Sequence, residues 1–278
     1  MTSEASPRVV SLLPSATDII AALGAQDLLV GVSHSCDDMW SHLPVLTSTL
    51  IDKNASAAEI DAQVKSQPGP LYALDIDQLE TLAPDIVISQ DLCDVCAVPS
   101  GDVEDALQSL SSAPALVTLA PFRLADIPDC FAQIGLVIGQ VGAAETLQDR
   151  WRAALAPYRD CFIDYGLSIA FLDWLDPPFA AGHWVPDIIN WTGCRSALAQ
   201  AGQPSHEITW DAVRESGADI IMAACCGQSE HTAHAAGQTV PDDLHVHILD
   251  GAKHFSRPSP TIMESMRYFA DTIEALRA

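Results

Sequence analysis

Basic side chains are scarce in this chain: 13 Lys and Arg stand against 37 Asp and Glu, for a formal net charge of −24. Nucleic acid and anionic lipid are therefore excluded as partners, since both would be repelled over a Debye length. A solvated acidic shell is the simplest use of the excess charge. No stretch approaches the roughly 18 consecutive apolar residues that a membrane span needs, so no insertion in a bilayer is expected. Met1 to Arg8 is polar and contains no basic stretch leading into an apolar one. The expected location on this reading is the cytosol, or the periplasm if the terminus has been trimmed. Enzyme signatures are missing as well: there is no G-x-S-x-G elbow, no Walker loop, no G-x-G-x-x-G after a strand and no H-E-x-x-H helix. Low-complexity sequence is absent.

What is present begins with an internal echo. Leu74 to Ser89 reads like Ile208 to Ala223, with Asp77 matching Asp211 and Asp85 matching Asp219. Each copy spells helix, short break and buried strand, and each runs on into a cysteine-bearing segment, Cys93-x-x-Cys96 in one and Cys225-Cys226 in the other. The C-terminal end of a strand is where open α/β sheets bind ligands. A second echo pairs Ser15 to Gly24 with Trp184 to Gly193, bringing Asp18 into register with Asp187. Both read as a helix following a strand, with Ser15 or Thr17 as N-cap and Gly24 or Gly193 as the C-terminal stop. Two facing copies of one α/β design follow from the pair of echoes.

Between the copies, Phe131, Ile134, Ile138, Val141, Leu147, Trp151, Leu155 and Tyr158 recur mostly at spacings of three and four. That is one face of a helix, starting near Asp126, Pro128 or Asp129. Unbroken over residues 128–159 it would span on the order of 48 Å and serve as a strut. Gly135, Gly139 and Gly142 weaken it, unless they form a small face for close packing, and a break near them is the alternative. The expected plan is therefore an α/β fold of two lobes, residues 1–127 and 160–278, joined by one long helix over 128–159, with the ligand cleft between the lobes.

The loops after the strands collect Trp, His and Cys. In the first half they hold Ser15, His34 with Cys36, and Cys93 with Cys96; in the second they run from Asp173 through Trp174, Phe179, His183 and Trp184, then through Cys225-Cys226 and Lys253 to Arg257. Pro121-Phe122-Arg123 falls in the same class of loop. Aromatic walls suit a large flat apolar ligand, and imidazole with thiolate suits a soft or borderline metal. Cys93 and Cys96 have the spacing of half a zinc knuckle, although Cys225-Cys226 does not supply the second half. Eight cysteines in a chain of this length fit reduced thiols better than a disulfide framework. Cys130, Cys161 and Cys194 sit in apolar patterns and read as buried thiols. A cysteine nucleophile, Cys36, Cys93 or Cys225 activated by His34, His183 or His254, is a further option, but no third orienting residue can be assigned.

The run Arg8-Val9-Val10-Ser11-Leu12-Leu13-Pro14-Ser15-Ala16-Thr17-Asp18-Ile19 resembles the opening of cobalamin-type substrate-binding proteins of ABC importers, in the iron-siderophore and cobalamin superfamily. The likeness continues through Leu29 to His34, Leu82 to Ile88, Ala218 to Ile221 and Arg257 to Pro260, and so covers essentially the whole chain. It is similar to a signal-less branch with H-x-C-D, C-D-x-C, G-H-W and C-G segments, here His34 to Asp37, Cys93 to Cys96, Gly182 to Trp184, and Cys226-Gly227. The resemblance implies two α/β lobes joined by a helix and a binding protein in place of an enzyme. Superfamily members take corrinoids, haem, ferric siderophores or bare metal ions. The leading expectation is a corrinoid held by Ser15, His34, Trp174, Phe179, His183, Trp184, His254 and Arg257. A metal-trafficking protein with zinc on Cys36, Cys93, Cys96, Cys225 and Cys226 is the alternative, and a cysteine-dependent enzyme the third reading. Importer members are exported, so the missing export signal puts service to an ABC permease in doubt.

Overall fold

The computed structural model describes residues 6–52, 55–92, 97–160, 164–236 and 239–277. The chain divides into two compact units: residues 1–52, 63–120 and 128–149 form the first, and residues 53–62, 121–127 and 150–278 the second.

The first unit opens with β1 (Val9–Ser11), α1 (Pro14–Ala22), β2 (Leu29–Val32) and β3 (Thr47–Thr49). It continues through α2 (Ala57–Ser66), whose residues are divided between the units, then β4 (Tyr72–Leu74), α3 (Ile76–Leu82), β5 (Ile86–Gln90), α4 (Ser100–Gln108) and β6 (Ala115–Leu119). Strands β2, β1, β5 and β6 form a parallel sheet in that order, and β3 pairs antiparallel with β4. Val9, Val10, Val87 and Ile88 are buried, as expected of parallel strands covered on both faces. Leu79 of α3 and Val103 of α4 join Val10 and Val87 in one core cluster.

The expected strut is interrupted. Residues 128–159 form two helices, α5 (Ile127–Val137) and α6 (Val141–Arg159). Gly139 adopts φ +72°, a left-handed conformation that closes the C-terminus of a helix and that glycine takes without steric cost. Gln140 N–H then donates to Gly135 O at 2.6 Å. A Cβ on Gly135 would lie 2.5 Å from Ala144 Cβ, so Gly135 is the small face on which the start of α6 packs.

The second unit contains β7 (Ser168–Leu175), β8 (Pro178–Ala180), α7 (Val185–Trp191), β9 (Arg195–Ser196), β10 (His206–Glu207) and α8 (Trp210–Glu215). After these come β11 (Ile220–Ala223), α9 (Glu230–Ala236), β12 (Val246–Ile248), α10 (Gly251–His254) and α11 (Ile262–Arg277). The sheet order is β10-β8-β7-β11-β12, with β9 also on β7; β8 and β10 are antiparallel additions to a parallel centre. Ile262, Met266, Phe269 and Ile273 of α11 are buried at helical spacing, and Phe269 meets Phe171 with ring centroids 6.2 Å apart.

The echoed segments are the same structure twice. Asp75 accepts from Gln78 N–H at 2.9 Å to cap α3, and Thr209 accepts from Ala212 N–H at 3.1 Å to cap α8. The matched aspartates then do one job: Asp85 accepts from Arg8 N–H at 2.7 Å, and Asp219 accepts from Ser168 N–H at 2.7 Å. Each carboxylate pins the entry of the neighbouring central strand, setting Val9 against Ile86 and Ile169 against Ile220. The second echo holds too, with Gly24 at φ +70° and Gly193 at φ +84° ending α1 and α7. Ser15 and Thr17, however, are not caps: they lie buried inside α1, whose N-cap is Leu13 with no side-chain bond, because Pro14 already occupies the first helical turn.

Candidate functional site

In the first unit the expected residues gather where β1 and β2 end. Cys36 Sγ lies 3.2 Å from Thr17 Oγ1, which donates to Ser11 Oγ at 2.9 Å, which donates in turn to Leu13 O at 2.9 Å. Thr47 Oγ1 donates to Ser33 Oγ at 3.1 Å and receives His34 N–H at 3.0 Å, with His34 Nδ1 2.7 Å away. On the other side of the ring His34 Nε2 lies 3.3 Å from Ser35 Oγ. The His34 ring also tilts against Tyr72 at 5.6 Å. Ser15 lies in the first turn of α1, 3% exposed. These groups form a polar floor in which side chains satisfy one another, the usual condition of buried hydroxyls.

In the second unit the segment expected as one loop from Asp173 to Trp184 is largely a hairpin, because β7 runs on to Leu175 and β8 folds back with Phe179 opposite Trp174. Trp174 spends its indole N–H on Ala57 O at 3.3 Å and Asp176 O at 3.2 Å, and its ring packs against the core. Trp184 is 6% exposed, with its N–H on Phe255 O at 3.0 Å. Both indole N–H groups are thus bonded within the fold, and Phe179 is half-buried in β8. His254 stacks on Tyr268 at 4.2 Å and faces Ser265 Oγ at 3.4 Å; burial pushes its pKa down. Arg257 is half-buried just beyond.

His183 is the exception. It holds φ +52°, a region a residue with a Cβ enters only under constraint. Three contacts impose it: His183 N–H donates to Gln203 O at 2.6 Å, Gly202 N–H donates to His183 O at 2.9 Å, and Gly182 N–H donates to Ser205 Oγ at 3.0 Å. A Cβ on Gly182 would fall 2.5 Å from Pro204 C and Ser205 N and closer still to Gln203 O, so the G-H-W segment begins with the residue the approach demands. Burial pushes the His183 pKa below its ordinary value and keeps the ring neutral. Nδ1 is enclosed and unpartnered, which leaves Nε2 as the nitrogen a ligand can reach.

Beside it stand residues that sequence reasoning placed only in a loop. Phe122, 40% exposed, faces His183 with ring centroids 6.1 Å apart. Arg123 forks onto Asp187, Nη2 to Oδ1 at 2.8 Å and Nε to Oδ2 at 3.3 Å, while Leu124 N–H adds a third bond at 3.1 Å. The Asp18–Asp187 echo was the signal that could have singled out this carboxylate.

The described thiols differ in their surroundings. Cys225 is core, and burial pushes its pKa up to about 12, while Cys226 beside it is exposed. Cys130 and Cys194 are buried. Cys93, Cys96 and Cys161 lie outside the described residues. Among the described residues no group of three or more His, Cys, Asp or Glu is arranged to hold a metal ion, and no helix is long and apolar enough to cross a membrane.

The sequence pattern described as "Periplasmic binding protein" matches residues 9–246. No curated protein matches the chain. Among solved structures, the periplasmic vitamin B12 binding protein BtuF of Vibrio cholerae superposes with a TM-score of 0.68 at 17% identity, covering 98% of both chains. The periplasmic heme binding protein HutB of Vibrio cholerae gives 0.69 at 16% identity over 97% of this chain and 99% of that one. The heme-binding protein RhuT from Roseiflexus sp. RS-1 gives 0.68 at 20% identity over 96% and 97%.

Proposed function

The chain belongs to the periplasmic binding protein family, and from that premise we propose that it holds a metal-bearing tetrapyrrole, with a corrinoid of the cobalamin kind as the leading ligand. The family is one of binding proteins, so the chain is a binder and not an enzyme. Similarity to a vitamin B12 binder and to heme binders supports the ligand class. His183 carries the reading. A neutral imidazole held in a left-handed backbone conformation, with Nδ1 enclosed and Nε2 left for a ligand, would be a suitable nitrogen donor to a cobalt or iron centre. Backbone strain of this kind, costing about 1–3 kcal/mol, persists where the surroundings enforce it and gathers at ligand sites. Phe179 offers a ring to the macrocycle, and Arg257 and His254 supply polar contacts at its rim.

The test is titration of the purified protein with hydroxocobalamin and with haemin, followed by visible absorption and tryptophan quenching. Binding at micromolar concentration or below is expected, with a band shift that His183→Ala removes. If neither macrocycle changes either signal, the tetrapyrrole reading is wrong.

A further inference from the structure

Arg123 is built differently from an ordinary surface arginine. Its partner Asp187 is 4% exposed at the side chain, whereas Arg123 is 55% exposed. The carboxylate is enclosed and saturated by the Nε and Nη2 donors of Arg123 and by Leu124 N–H. Its grip takes two of the five guanidinium N–H groups and fixes the plane of the fork. The remaining three face away from Asp187. The aliphatic stem is held as well: it lies on Gly202, where a Cβ would come within 3.2 Å of Arg123 Cγ, and where φ is +83°. A long side chain that ordinarily loses much rotamer freedom on binding has thus already lost it, so ordering costs little when a ligand arrives. Phe122, its neighbour in sequence, is exposed and faces His183. Phe122 supplies an apolar face, His183 a neutral nitrogen donor and Arg123 a fixed fork of donors.

We propose that Phe122, Arg123 and His183 form one recognition surface on which Arg123 anchors an oxyanion carried at the edge of the ligand. The inference rests on the tetrapyrrole reading and narrows it to macrocycles bearing a carboxylate or a phosphodiester. A planar guanidinium edge matches either group with two parallel N–H···O bonds. In a chain with 37 acidic and 13 basic residues, an oxyanion needs such a fixed cation to overcome repulsion by the rest of the surface.

The experiment compares each macrocycle with its form stripped of the oxyanion, on the intact protein and on Arg123→Lys. Haemin is paired with haemin dimethyl ester, and hydroxocobalamin with a cobinamide that lacks the phosphodiester tail. Lysine keeps a positive charge against Asp187 but loses the fork, and its melting temperature verifies folding. For whichever macrocycle binds, the stripped form should bind at least about tenfold more weakly, the size of one charge-assisted hydrogen bond. Arg123→Lys should shrink that ratio and leave the affinity of the stripped form unchanged. Stripped and intact forms that bind within about twofold of each other would overturn the anchor while leaving the tetrapyrrole reading standing. A lysine variant that weakens both forms equally would also overturn it, by giving Arg123 a purely structural role. Failure of every macrocycle to bind sinks the tetrapyrrole reading and the anchor with it.

Discussion

Gly182→Ala tests the architecture of the His183 segment most directly. The added Cβ would stand 2.5 Å from Pro204 C and Ser205 N. Ordinary contact is about 3.4 Å or more, so the strand of chain from 182 to 184 must move out by about 1 Å, and packed interiors do not absorb such shifts freely. Three bonds stretch at once: His183 N–H to Gln203 O, Gly202 N–H to His183 O and Gly182 N–H to Ser205 Oγ. At about 1 kcal/mol net for each, plus about 1–3 kcal/mol for the overpacking itself, the variant should lose at least about 3 kcal/mol. For a unit of this size that corresponds to a fall in melting temperature of roughly 6–12 °C. Gly142→Ala is the control: it lies in the first turn of α6, its Cβ would meet nothing within 4 Å, and it should gain a few tenths to about 1 kcal/mol from helix propensity. Differential scanning calorimetry of the two variants beside the parent decides the matter. If Gly182→Ala melts within about 1 °C of the parent, the close approach that explains the His183 backbone is not real.

Three further outcomes are expected. His183, His247 and His254 are all pushed below the ordinary imidazole pKa of about 6.5, first by burial and, in the last two, then by a neighbouring side chain, His245 or Lys253. The unfolded chain therefore binds more protons than the folded one, and the stability these groups hold is complete above about pH 6.5 and lost as the pH falls toward their lowered values; melting temperatures at pH 7.5, 6 and 5 should fall, and less steeply in His183→Asn. Asp219 behaves alike in the acid range: the Ser168 backbone N–H and then its hydroxyl lower the Asp219 pKa, so its contribution is present above about pH 3.9 and lost as the pH falls through the lower folded value. A flattened acid limb in urea titrations of Asp219→Asn would be the sign, and an unchanged limb would refute the strand-pinning role. Finally, iodoacetamide mapping at pH 8 should label exposed Cys226 in the native protein and spare Cys225 and Cys194, whose thiols burial pushes up to about 12 and about 11.

Much of the framework was legible in the sequence because it rests on local chemistry. The repeat of Leu74 to Ser89 in Ile208 to Ala223 encodes a helix, a short break and a buried strand, each readable within a few residues, and the matched Asp85 and Asp219 take identical places. Gly24 and Gly193 stop their helices as predicted, since left-handed closure is a property of one residue. Across 128–159 the apolar spacing left open whether the helix breaks at its glycines, because the contact that accompanies the break, Gly135 against Ala144, joins residues on either side of Gly139.

The site divides along the same line. Sequence alone determined which residue types lie at the strand ends, His34 and Cys36 in one half, His183 and Cys225-Cys226 in the other, because strand and turn patterns locate the ends of strands. Which of them are available was decided by tertiary structure. Trp184 is buried with its indole N–H on Phe255 O, and Cys225 became core while the residue next to it stayed exposed. Arg123 acquired its fixed fork from a carboxylate 64 positions away. Composition and periodicity report what a residue prefers on its own, and availability for a ligand depends on partners that only long-range packing brings within bonding distance.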